Sequence, residues 1–214
     1  MPPRVITPRR SRRAARPPKP HRAPRPRASH SNWLAPRARA AYHAFYHLAV
    51  GAPDAWRAAL HLGDAGSALQ TFNYFTQKAH DAHSGPGRGD AAADEFAATS
   101  AALVELAGGG ASGTAKAQYF WARIAGILHL GQVRFEAQGG DATATTGKER
   151  AAVVEESRVA LQTAAALFDV TDVAQLEYAL CNRTIGGTRA PRTPHEALAA
   201  RDALAKAFYE GLLR

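Results

Sequence analysis

The last third of the chain, residues 176–214, reads LEYALCNRTIGGTRAPRTPHEALAARDALAKAFYEGLLR. This order of residues predicts a short helix, then a tight basic loop punctuated by glycine and proline, then a closing amphipathic helix. Pro194 suits the first turn of the closing helix, because the N–H that proline lacks has no helical acceptor there. Helical spacing assigns the leucines of this helix to the core. It assigns four charged residues to the solvent face: Arg201, Asp202, Lys206 and Glu210.

The most apolar segment is Tyr119–Gly131, YFWARIAGILHLG, which predicts a central buried helix leading into a short strand at 132–135. Another helix is expected to begin near Asp94, whose carboxylate would cap it, and to end at Gly108. Further helices are predicted in three segments: 37–50, 54–62 and 153–168. In the last of these, Val159 is assigned to the core face. Alanine dominates and β-branched residues are sparse, so the fold class is predicted to be mainly α.

The net charge of +9 originates in the N-terminal segment. Residues 1–40 hold eleven Arg and one Lys with no Asp or Glu, and nine of the thirteen prolines lie within residues 1–36. Such a segment has too little apolar surface to offset its ordering entropy, so residues 1–32 are expected to form a disordered basic tail before an ordered part at 33–214. The tail is a solvated extension, a targeting segment, or a segment that binds nucleic acid or another acidic surface.

Several local patterns bear on the chemistry of the chain. Cys181 is the single cysteine, which excludes an internal disulfide and fits a reducing compartment. His43 and His47 have zinc-ligand spacing but lack the intervening Glu of a metalloprotease helix, so they are interpreted as packing residues. The segments at 108–116 and 147–148 do not match a G-x-x-x-x-G-K-[S/T] phosphate loop. No apolar run is long enough to span a membrane. No catalytic, cofactor-binding or metal-binding residue is therefore predicted.

The segment from Ile127 to Phe135, ILHLGQVRF, is similar to the Ile-Leu-His-Leu-Gly-Asn-Ile-x-Phe motif of the myosin motor domain. Residues 200–209, ARDALAKAFY, resemble the helix that follows an actin-contacting surface loop in that family. Three other segments resemble the family in the same order: 37–48, 72–77 and 164–184. The resemblance covers residues 38–214, and it makes His129 a structural histidine rather than a catalytic base.

The resemblance implies a helical fragment of the myosin-head P-loop NTPase fold, with a short strand or hairpin, from the upper actin-side lobe between the first and second switch regions. The complete family domain binds ATP and Mg, and uses a phosphate loop and two switches that this sequence lacks. The chain alone is therefore expected to bind no cofactor and to be inactive as a motor. The loop 184–193 corresponds to the actin-contacting loop, shortened by several residues. Five residues are implied as actin contacts: Arg183, Thr184, Thr188, Arg189 and Arg192.

An actin filament partner would place the chain in the cytoplasm, at the cytoskeleton. Three hypotheses stay open from the residues. The chain is a piece of a myosin heavy chain or a degenerate copy of one, or a stand-alone helical protein that binds actin through its basic loop, or a protein that binds nucleic acid through its tail.

Overall fold

The computed structural model describes residues 43–75, 88–138 and 149–212, which form eight α-helices and two small antiparallel hairpins. The helices are α1 (His43–Gly51), α2 (Asp54–Ala59), α3 (Ala65–Thr71), α4 (Arg88–Leu106), α5 (Gly110–Leu130), α6 (Arg158–Leu167), α7 (Val173–Cys181) and α8 (Pro194–Leu212). Strand β1 (Phe135–Gln138) pairs with β2 (Arg150–Val153), and β3 (Asn182–Ile185) pairs with β4 (Thr188–Pro191). The prediction of a mainly α fold is confirmed. Within the described ranges, none of the helices combines the length and apolar character that crossing a membrane requires.

Helix α5 forms the centre of the core. Its second half is enclosed on all sides, and five large side chains there are fully buried: Trp121, Ile124, Ile127, Leu128 and Leu130. A helix that is apolar all round must be covered by neighbours, and α1, α4, α6 and α8 pack against it. The helix begins at Gly110, earlier than the predicted Tyr119. Its first turns carry small, mostly exposed residues, so apolar spacing did not reveal them.

Helix α4 starts at Arg88, and the predicted cap Asp94 lies inside it rather than at its N-terminus. That prediction is wrong because three alanines, residues 91–93, extend the helix backwards, and Asp90 supplies the acidic group in the first turn. Helix α4 packs against α1 at Gly51, where a Cβ would lie 2.0 Å from the Ala92 carbonyl oxygen. Only glycine allows the two helices to approach this closely.

Helix α8 begins at Pro194 as predicted, but its buried face differs from the one predicted from spacing. Arg201 and Asp202 are only 3% and 6% exposed, so their assignment to the solvent face is wrong. The Arg201 guanidinium donates to the carbonyls of Gly131 at 3.1 Å and Val133 at 2.8 Å, and to Asp202 Oδ1 at 2.6 Å. The Tyr74 hydroxyl donates to the same Oδ1 at 2.9 Å. Burial is possible because every charge has a partner.

Two other details around α6 differ from the sequence prediction. The strand expected at 132–135 lies at 135–138, and its partner β2 had no recognisable local signal. A 3₁₀ turn at Glu155–Ser157 precedes α6, and the buried stripe of α6 starts at Leu161, which leaves Val159 70% exposed. The prediction for Val159 is therefore wrong. The tail predicted at 1–32 and the first part of the helix predicted at 37–50 lie outside the described residues.

Candidate functional site

The loop predicted at 184–193 is largely a β-hairpin. Strand β3 pairs with β4 so that Thr184 lies opposite Arg189 and Ile185 lies opposite Thr188. Gly186 and Gly187 form the two-residue turn, with φ angles of 55° and 81°. Positive φ at both central residues is the geometry that matches the twist of a tight hairpin, and glycine adopts it without steric cost. The GG pair therefore fixes the register of the hairpin.

The tip of the hairpin is open to solvent. Thr184, Thr188 and Arg189 are all exposed, and Ile185 is 57% exposed. The guanidinium carbon of Arg189 lies 5.6 Å from the ring centroid of Tyr178 in α7. Arginine over an aromatic face keeps its charge accessible while its position is restrained. Three of the five residues predicted as actin contacts are thus presented together at the tip.

Arg183 lies lower, where β3 leaves α7, and its side chain is about one third exposed. Its Nη1 donates to Glu196 Oε1 in the first turn of α8 at 2.9 Å. Glu196 Oε2 also accepts the Thr193 N–H at 2.9 Å, and the Glu196 N–H donates to Thr193 Oγ1 at 3.3 Å. This reciprocal pair is a capping box, which satisfies N–H groups at the start of the helix. Glu196 therefore links the hairpin to the N-terminus of α8.

Arg192 holds the other side of the hairpin base through its backbone. Its N–H donates to the Cys181 carbonyl at 2.7 Å, and its carbonyl accepts the Ala151 N–H at 2.8 Å. These bonds tie β4 to the end of α7 and to strand β2. Cys181 lies buried beside this junction, and burial raises the pKa of its thiol to about 11. The junction is thus a packed base for the exposed tip.

The hairpin region is uniformly basic. From Arg183 to His195 the sequence contains three arginines and no Asp or Glu, and Glu196 is the first acidic residue after it. Arg189 at the tip lies over the Tyr178 ring and forms no ion pair with a described residue, whereas Arg183 at the base is paired with Glu196. The positive charge of the tip is thus available to an external acidic group.

Of the two histidines at zinc-ligand spacing, His47 contacts the neighbouring helix α4. His47 Nε2 lies 3.0 Å from Glu95 Oε2, and its Nδ1 lies 3.3 Å from Thr99 Oγ1, both in α4. Burial lowers the pKa of His47 below its usual value. Within the described ranges, no three His, Cys, Asp or Glu side chains are grouped closely enough to hold a metal ion.

Sequence reasoning missed two residues of the hairpin region. The spacing around Tyr178 predicts only a helix, and no local pattern indicates that Arg189 lies over its ring. Glu196 did carry a signal, because Thr193-x-x-Glu196 before an apolar helix is the pattern of a capping box. Its bond to Arg183 depends on the hairpin folding back and could not be read from spacing.

Comparison with known proteins agrees with the resemblance of the five segments. The sequence model of the family described as Myosin head (motor domain) matches residues 35–214. Unconventional myosin IC of Drosophila melanogaster is 34% identical over 176 residues, which cover 80% of this chain and 15% of that protein. Myosin ID heavy chain of Dictyostelium discoideum is 38% identical over 100 residues, which cover 42% of this chain and 8% of that protein.

The chain thus spans 15% or less of the length of these two relatives. The family match, by contrast, includes all of the described helices and both hairpins. It also includes the buried α5 with its ILHLG end and the hairpin that precedes α8. This chain belongs to the myosin head (motor domain) family.

Proposed function

We propose that this chain forms an actin-contacting part of a myosin motor domain and does not itself hydrolyse ATP. The five predicted residues, Arg183, Thr184, Thr188, Arg189 and Arg192, belong to or flank the β3–β4 hairpin that makes the contact. The filament partner places the chain at the cytoskeleton. ATP and Mg would be bound by other parts of a complete motor domain, since this sequence holds no G-x-x-x-x-G-K-[S/T] loop.

The observation that carries this proposal is the exposed basic tip of the hairpin. A projecting two-stranded element with Arg189 at its end and no acidic residue between positions 183 and 195 suits an acidic protein surface. Charge complementarity of this kind accelerates association and sets orientation, and salt weakens it. Arg189 also rests on Tyr178, and arginine and tyrosine are both enriched among residues that dominate binding energy.

The proposal is tested by co-sedimentation of the full chain with actin filaments at low and moderate salt. We expect salt-sensitive binding that Arg189→Glu weakens by about fivefold or more. Lys206→Glu is the matched control, because it reverses the same charge at an exposed position of α8 remote in sequence from the hairpin. The control should bind as the unaltered chain does. Absence of salt-sensitive binding, or equal losses in the two variants, would refute the proposal.

A second candidate function concerns the N-terminal segment. With eleven Arg, one Lys and no acidic residue in positions 1–40, this segment has the composition of a polyanion-binding arm. The division into a basic tail at 1–32 and a motor part at 33–214 is part of this proposal. Deleting residues 1–32 should abolish RNA or DNA binding in a filter-binding assay. Unchanged affinity after the deletion would exclude this function.

A further inference from the structure

The three arginines around the hairpin occupy different environments. Arg189 lies at the exposed tip, whereas Arg183 lies at the base and directs its guanidinium towards α8. The Nε atom of Arg183 is buried and has no acceptor within the part of the chain that the structure describes. The Arg183 side chain is therefore directed inward and is held there by Glu196.

Glu196 has a double role at this junction. One carboxylate oxygen belongs to the capping box of α8, and the other accepts from Arg183 at 2.9 Å. The capping box fixes the orientation of the carboxylate relative to the helix, because the Thr193 N–H holds Oε2. The ion pair then fixes strand β3 relative to α8. A charge-assisted bond of this length between partly buried groups is stronger than a solvent-exposed pair.

Helix α8 gives this link a rigid foundation. About one and a half turns after Glu196, Arg201 and Asp202 are buried. Arg201 donates to the Gly131 carbonyl at the end of α5 and to Asp202 Oδ1. The start of α8 is thus fixed relative to the core. Strand β3, which is bonded to that start through Arg183 and Glu196, is therefore also held relative to the core. On the other side of the hairpin, the backbone bonds of Arg192 hold the end of β4. The two-glycine turn and the exposed tip offer little restraint of their own, so the side of β3 depends on the link through Arg183.

We propose that Arg183 and Glu196 are positioning residues: their ion pair sets the direction in which the hairpin leaves the core, and Arg183 makes no contact with the filament. This inference builds on the proposed function and divides the basic residues into two groups. Arg189, with Thr184 and Thr188, touches the partner. Arg183 acts on the partner only through the hairpin that it holds in place.

The effect of Glu196→Gln on filament binding distinguishes a positioning role of Arg183 from direct contact, because the two roles predict changes of opposite sign. If Arg183 binds an acidic group of actin, Glu196 competes with that group, and Glu196→Gln should tighten filament binding. If Arg183 positions the hairpin, Glu196→Gln should weaken binding, because the pair loses its charge while the amide oxygen can still accept the Thr193 N–H. Arg183→Ala weakens binding in both cases and does not discriminate alone.

The experiment is a double-mutant cycle read by co-sedimentation with actin filaments. We expect Arg183→Ala and Glu196→Gln each to weaken binding by about fivefold and the double variant to be no weaker than either, since both remove the same ion pair. Arg183→Lys should recover part of the loss, because the contact is a single N–H to oxygen bond. Glu210→Gln, at an exposed position of the same helix, is the matched control for charge. Tighter binding by Glu196→Gln, or multiplied losses in the double variant, would overturn the inference.

A second readout does not require filaments. Amide hydrogen exchange of residues 182–191 in the free chain should accelerate several-fold in Arg183→Ala and in Glu196→Gln, while Glu210→Gln leaves it unchanged. If the chain fails to bind filaments but shows this coupled exchange, the proposed function falls and the positioning pair stands. If the chain binds filaments and exchange is unchanged in both variants, the positioning role is refuted. Far-UV circular dichroism of each variant confirms that the helices are retained.

Discussion

The substitution Asp202→Ala tests the buried cluster beneath α8. Asp202 Oδ1 accepts from the Nε of Arg201 at 2.9 Å, from its Nη2 at 2.6 Å, and from the Tyr74 hydroxyl at 2.9 Å. Removing the carboxylate leaves a guanidinium that is 3% exposed with two carbonyl acceptors and no counter-charge. It also removes the hydrogen bond that the Tyr74 hydroxyl donates to Asp202.

The expected cost follows from this loss of partners. Breaking a buried pair by removing one partner costs about 3–5 kcal/mol, because the remaining charge is uncompensated. For a domain of this size, about 1 kcal/mol shifts the Tm by about 2–4 °C, so we expect Asp202→Ala to lower the Tm by about 6–20 °C. Glu210→Ala is the control on the same helix. Its partner Lys206 lies 3.6 Å away and both side chains are more than half exposed, so the change should stay within about 0.5 kcal/mol.

The assay is equilibrium unfolding of the full chain in urea, followed by circular dichroism. Equal m-values in the variant and the unaltered chain would show that the difference in midpoint reports stability rather than a change in the exposed surface on unfolding. An Asp202→Ala cost below about 1 kcal/mol, close to that of Glu210→Ala, would refute the reasoning. It would mean that the carbonyls of Gly131 and Val133 are sufficient partners for the Arg201 charge.

Two further predictions concern α1 and α5. Gly51→Ala should destabilise the fold by about 1–3 kcal/mol or more, because its Cβ would lie 2.0 Å from the Ala92 carbonyl oxygen. Urea unfolding measures this loss. The control is Gly211→Ala, whose Cβ would meet nothing within 4 Å. An equal effect in both would contradict the close packing. Burial lowers the pKa of His129, whose Nε2 lies 2.9 Å from the Leu60 carbonyl oxygen. As the pH falls, the imidazole is therefore protonated in the unfolded chain before it is protonated in the folded one. Stability should fall as the pH drops below about 6.5. His129→Gln should flatten this part of the stability profile, and an unchanged slope would exclude His129 as its cause.

Much of the fold could be predicted from the sequence because several elements have strong local sequence patterns. The apolar run that ends α5, the GG pair at the hairpin and the Thr193-Pro194 start of α8 each specify an element through residues that are adjacent in sequence. Asp172 is a similarly local signal for α7, because it caps the helix: its Oδ1 accepts the Gln175 N–H at 3.0 Å. Such signals require no knowledge of distant neighbours.

The misassigned positions depend on partners far along the chain. Arg201 and Asp202 are charged, as residues on a solvent face usually are. They are buried because Arg201 donates to a carbonyl about 70 residues earlier and Asp202 accepts from Tyr74. Strand β2 is four residues long and contains two alanines, so its identity comes from pairing with β1 rather than from its own composition. For the same reason the sequence predicts a tight basic loop here but does not reveal the pairing of Arg183 with Glu196.

The glycine turn of the β3–β4 hairpin is a place where insertions could change the length of the hairpin. The base is fixed by the backbone bond between Arg192 and Cys181, so residues inserted between Ile185 and Thr188 can extend the hairpin only outward. Each added pair would raise the tip by about 3.4 Å and exchange the sides on which its side chains lie, while two pairs would restore the original sides about 7 Å further out. An odd insertion would instead produce a bulge. The height of the tip can therefore change in steps of one residue pair, without any repacking of the core below.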